Sequence, residues 1–73
     1  MRRKTERFSE TELLLKSMIG KSLDEARQMA GFSGFSTRVV RRDGELSIVT
    51  MDFRQDRINL ELDNGMVTKS NIG

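Results

Sequence analysis

The chain has 73 residues, a net charge of +2 and 33% charged residues, with no cysteine, histidine, tryptophan or tyrosine. At this length it forms one domain with a thin core, burying only about 60% of the surface its unfolded chain exposes. Disulfide staples, zinc sites built on Cys or His, and Cys/His or Ser/His nucleophilic catalysis are excluded, and most enzyme mechanisms go with them.

The opening "MRRKTER" sets four positive charges against one negative and reads as a frayed basic arm over residues 1–8. The apolar run that follows is interrupted by Lys16 and Ser17, and no small-residue cleavage site follows it. The segment is therefore neither a secretory signal nor a membrane span, and with the lack of cysteine this points to a cytoplasmic protein. Ser9 and Glu12 form an S-x-x-E capping box ahead of Leu13, Leu14, Leu15, Met18 and Ile19, which predicts a short helix stopped by Gly20. The leucine face of residues 9–19 packs on the domain, with self-association as the alternative.

A second capping box follows at once in "GKSLDEARQMAG". Ser22 and Glu25 close it, Leu23, Ala26, Met29 and Ala30 share one face, and Gly31 ends the helix. Asp24 and Glu25 suit the positive end of its dipole. In "GFSGF", a turn, Phe32 and Phe35 cover the helix end.

"STRVVRR" carries the β-branched residues of a first strand and three more positive charges. Nucleic-acid binding normally adds stacking aromatics or a recognition helix to such a basic edge, and neither is present, so nucleic acid is disfavoured as a partner. Further on, "RINLEL" alternates Ile58, Leu60 and Leu62 with Arg57, Asn59 and Glu61, giving a strand with one core face. Asn64-Gly65 then predicts a hairpin into a third, antiparallel strand from Met66 to about Lys69.

Between the first two strands lie residues 43–54, too many for a tight hairpin. Two readings of "ELSIVTMDF" stay open: a further strand over Ser47–Met51, or an exposed segment presented to a partner. A presented segment needs rigidity to bind well. Arg57 and Asn59, two apart on the outward strand face, are spaced to supply it through hydrogen bonds to Thr50, Asp52 or neighbouring carbonyls.

The run "VTMDFRQDRINLELD", with "GKSLDEA" upstream and "NIG" at the end, resembles the potato type I, eglin-like serine-protease inhibitors. It is most similar to their small bacterial branch, inhibitor family seventy-eight. The match covers about residues 19–73, leaving residues 1–18 as an added basic arm and helix. The resemblance implies an α+β wedge: one main helix on a short mixed sheet, a parallel central strand pair, a C-terminal hairpin, and a long exposed loop between the first two strands. It further implies a reactive loop of Val49, Thr50, Met51, Asp52, Phe53 and Arg54, with Met51–Asp52 as the bond offered to a subtilisin-like or chymotrypsin-like protease. Arg57, Asn59 and the carboxylate of Gly73 would brace that loop, Asn59 standing where plant and leech members have a second arginine. Bacterial members often carry an export signal and a cysteine pair, which this chain lacks. The alternative is a non-inhibitory module of the same fold that binds a protein or nucleic acid through its basic edge or N-terminal helix. No clustered acid–base pair suggests an enzyme, nothing calls for a cofactor or metal, and a monomer is expected.

Overall fold

A computed structural model describes residues 9–73, so the basic arm lies outside the described residues. Two helices, α1 (Glu10–Met18) and α2 (Leu23–Phe32), precede four strands, β1 (Ser36–Arg42), β2 (Glu45–Leu46), β3 (Arg57–Asp63) and β4 (Met66–Ile72). The strands form one mixed sheet in the order β2-β1-β3-β4, with β1 and β3 parallel and the other two pairs antiparallel. This is the expected α+β arrangement with its parallel central pair and C-terminal hairpin. Among the described residues no helix is long and apolar enough to cross a membrane.

Both capping boxes are formed. Ser9 accepts from the Glu12 amide and Ser22 from the Glu25 amide, and each glutamate returns a carboxylate to its cap residue's N–H. Such caps satisfy donors that would otherwise lack intrahelical partners, each worth about 1 kcal/mol. Gly20, at φ +87°, turns the chain out of α1 as expected. The end of α2 differs from the sequence reading. Gly31 lies inside the helix, and Gly34, at φ +84°, makes the turn. There the Phe35 amide bonds to the Ala30 carbonyl and the Gly34 amide to that of Gly31, a Schellman closure that satisfies two terminal carbonyls. Phe35 packs against the core, whereas Phe32 points into solvent at 93% exposure and covers nothing.

The core consists of Met18, Ala26, Ala30, Ile58, Leu60, Leu62 and Val67, flanked by half-buried residues including Leu14, Leu15, Leu23 and Met29. The strict alternation of β3 supplies three of the seven, and the two alanines let α2 lie close on the sheet. The leucine-rich α1 packs on the domain, as the favoured reading had it: Met18 is fully buried, and the Ser70 hydroxyl donates to the Leu15 carbonyl at 2.7 Å. Val67 pairs through both backbone groups with Gly20 and Lys21, so the α1–α2 connection covers part of the free edge of β4.

Two expectations for the segment after β1 are corrected. Asp43 and Gly44 both have positive φ, 51° and 83°, and close a two-residue hairpin into β2, as Asn64 and Gly65 do between β3 and β4. The third strand of the sequence reading is consequently the fourth here, and it runs on to Ile72. Residues 47–54 contain no strand, so the reading of Ser47–Met51 as one does not hold. The exposed loop is thereby shortened to the stretch between β2 and β3.

Candidate functional site

The loop after β2 arches over the sheet face opposite the helices, above a hollow whose lining includes Arg38, Val40, Asn59 and Asn71. Its ends are tied by main-chain bonds, Ser47 N–H to the Val40 carbonyl at 2.9 Å and Arg54 N–H to the Gly73 oxygen at 3.2 Å. Between them, no backbone group of Ile48 to Phe53 bonds to another backbone group among the described residues. Side chains therefore carry the order of the apex.

Arg57 does so on one side. It stands at the start of β3 on the outward face, since the residues that alternate with it, Ile58 and Leu60, are buried. Its Nη2 donates to the Asp52 carbonyl at 2.9 Å and to the Gly73 oxygen at 2.7 Å, and Nε to the same Gly73 oxygen at 3.3 Å. Nη2 also lies 3.6 Å from the Asp52 carboxylate, with the arginine side chain only 13% exposed. A planar guanidinium held through Nη2 and Nε fixes its targets in direction as well as distance, which a lysine's single rotatable ammonium does less well.

Asn59 behaves differently from the expectation: it makes no bond to the loop. Its Oδ1 instead accepts from Nε of Arg38 at 3.0 Å, and Arg38 Nη1 donates to the Thr50 carbonyl at 3.2 Å and the Thr50 hydroxyl at 3.3 Å. The parallel register sets Arg38 of β1 directly beside Asn59 of β3, so the amide aims the guanidinium at the loop. Arg38 is the loop-bracing residue that the sequence reading missed. Its only signal was its place in the basic strand "STRVVRR", which becomes specific once the register of β1 on β3 is known.

The two arms meet at the apex, where the Thr50 hydroxyl donates to the Asp52 carboxylate. Thr50 is thus held by Arg38, Asp52 by Arg57, and each by the other, with Met51 between them at 97% exposure. Gly73 closes the arrangement. Its N–H donates to the Arg57 carbonyl at 3.0 Å, and a Cβ there would sit 2.5 Å from the Asn59 amide nitrogen, so a side chain at this position would have to displace the amide that aims Arg38. Arg54 contributes its backbone N–H, while its guanidinium pairs with Asp56 in an exposed contact of little energetic weight. Val49 is half-buried over the hollow, and Phe53 is 69% exposed.

The Thr50 hydroxyl, followed by the positive field of Arg57, holds the Asp52 carboxyl below its ordinary value. A depressed carboxyl stabilises the bound arrangement at neutral pH, and that contribution is lost as pH falls below the ordinary aspartate range and through the lowered pKa. In a carboxyl-carbon titration Asp52 is expected to show a midpoint below that of free aspartate, with the Thr50 and Arg57 side-chain signals shifting at the same midpoint. An ordinary midpoint for Asp52 would mean that this part of the brace is not formed in solution.

Compared with known proteins, the chain matches no family model and none of the curated sequences.

Proposed function

We propose that the protein is a substrate-like serine-protease inhibitor that offers the Met51–Asp52 peptide bond. The observation that carries this reading is a fully exposed Met51 flanked by two residues whose carbonyls are each gripped by a different arginine, Thr50 by Arg38 and Asp52 by Arg57. The resemblance of "VTMDFRQDR" to the reactive segment of the eglin-like inhibitors supports the same bond.

In this reading the protease serine oxygen adds to the Met51 carbonyl carbon, and the Met51 C–Asp52 N bond breaks. Its nitrogen takes the serine's proton by way of the enzyme's general base. In an ordinary substrate the new amine diffuses away and water completes hydrolysis. Here Arg57 and the Gly73 oxygen hold the Asp52 half while Arg38 holds the Thr50 half, so the amine stays beside the acyl-enzyme and resealing outruns water. The unbranched apolar Met51 fits a deep hydrophobic pocket, of the kind found in subtilisin-like and chymotrypsin-like enzymes, and offers nothing to a pocket that seeks a positive charge.

Titration of serine proteases with the protein, followed by mass determination of the bound chain, tests the proposal. The expected result is a lasting stoichiometric complex whose only cleaved species is cut between Met51 and Asp52, lost in Met51→Asp. Plain digestion at scattered bonds with no lasting complex would overturn it.

A further inference from the structure

The sequence holds five methionines and none of the side chains that compete with them for oxidants, cysteine, tryptophan, tyrosine and histidine. Burial separates the methionines from one another. Met18 is fully buried and Met29 packs half-buried against the core, whereas Met66 is 44% exposed and Met51 97%. Met1 lies outside the described residues. The most exposed methionine among the described residues is therefore the one held out between Thr50 and Asp52 by the two arginines.

Resting on the inhibitor reading above, we propose that Met51 is a reversible oxidation site whose sulfoxide switches the inhibitor off. A hydroperoxide supplies the oxygen. Its O–O bond breaks as an S–O bond forms on the thioether, the sulfur gives up two electrons, and the peroxide is reduced to an alcohol or, from hydrogen peroxide, to water. Reduction runs through a dithiol, which removes the oxygen as water and is left as a disulfide. The backbone is unchanged in both directions.

What changes is the fit of the side chain. The thioether is apolar and slim, and oxidation makes it polar and chiral at sulfur. In a deep apolar pocket the new oxygen loses its water and gains no donor, which weakens binding by about 10- to 100-fold. Two features make this a switch rather than damage. Thr50 and Asp52 are held by guanidinium, amide, hydroxyl and carbonyl groups that a peroxide leaves alone, and none of these bonds involves the Met51 side chain. Met18, whose oxidation would disrupt the core, is closed off from solvent. Oxidation at Met51 thus leaves the fold and the braced loop in place and alters only what the loop presents.

In the test, the protein is treated with dilute hydrogen peroxide, the peroxide is removed with catalase, and peptide masses give the extent of oxidation at each methionine over time. Inhibition constants against subtilisin and chymotrypsin are measured before treatment, after it, and after incubation with dithiothreitol and the two stereospecific methionine sulfoxide reductases. Met51 is expected to oxidise ahead of Met66 and Met18. Inhibition should weaken by at least about 10-fold in step with the Met51 sulfoxide, and reduction should restore it, with the melting temperature unchanged throughout. Met66→Leu should lose inhibition on treatment as wild type does, and Met51→Leu, whatever its starting constant, should keep that constant. A wild type that is fully oxidised at Met51 yet inhibits as before would overturn the switch and leave the inhibitor reading standing. An equal loss in treated Met51→Leu would do the same, by placing the effect at another residue. If untreated wild type forms no lasting complex with any enzyme, both fall.

Discussion

On the inhibitor reading proposed above, Arg57→Ala is expected to turn an inhibitor into a substrate while leaving the protein folded. The substitution removes the donors to the Asp52 carbonyl and the Gly73 oxygen and the partner of the Asp52 carboxylate, all on the leaving side of the Met51–Asp52 bond. Hydrogen bonds of a charged donor each contribute about 1.5–3 kcal/mol, and losing the tether also forfeits the proximity that favours resealing. The inhibition constant should therefore rise on the order of 100-fold, and Met51–Asp52 should be cut on a timescale at which wild type stays intact. Arg57→Lys should recover only part of this, because a point charge cannot bond Asp52 and Gly73 with one rigid fork. The measurement is a progress curve with mass determination of the chain at each time. An Arg57→Ala protein that inhibits as tightly as wild type would show that the fork is not what holds the loop.

Met18→Ala carries the second large effect, and it falls on stability. Met18 lies on α1, outside the segment that resembles the inhibitor family, yet it is fully buried among α2 and sheet residues. Truncating a buried methionine costs about 2–5 kcal/mol. At about 0.05–0.15 kcal/mol per residue, a domain of this size holds only about 4–11 kcal/mol in total. The urea midpoint of Met18→Ala should drop steeply, and the protein should be largely unfolded at the low end of that range. Leu13→Ala, at a side chain already 52% exposed on the same helix, should change stability by less than about 0.5 kcal/mol. Equal midpoints for the two variants would show that α1 is a dispensable appendage. Met18 does not touch the loop, so whatever fraction of Met18→Ala remains folded should inhibit like wild type.

The braces divide the work by side of the bond. Arg38 holds what would become the acyl half and Arg57 the amine half, and the Thr50–Asp52 contact couples them across Met51. An asparagine in place of a second direct arginine looks in sequence like a lost support. In the folded chain it is the support of a support, since it orients a guanidinium brought from the adjacent strand.

Much of the architecture was legible because the features behind it are short-range. Each capping box spans four residues, each positive-φ hairpin turn two, and the β3 alternation is a period along one strand. The same short range explains the errors. Asp43-Gly44 carries the same turn signal as Asn64-Gly65, but only two residues beyond it pair, too few to show a period, so the hairpin was read as loop. Gly31 and Gly34 are equally able to end a helix, and the Phe35–Ala30 bond decided between them.

By itself the sequence determined the two helices, the alternating core strand and the second hairpin, because each rests on contacts between residues close along the chain. Tertiary structure alone decided that Arg38, aimed by Asn59, holds the Thr50 side, and how Arg57 and Gly73 meet on the other. Arg38 and Asn59 are 21 positions apart, and Arg57 and Gly73 are 16. Such pairs meet only through the parallel register of β1 on β3 and the antiparallel return of β4, and that register is set by burying Ile58, Leu60 and Leu62 together.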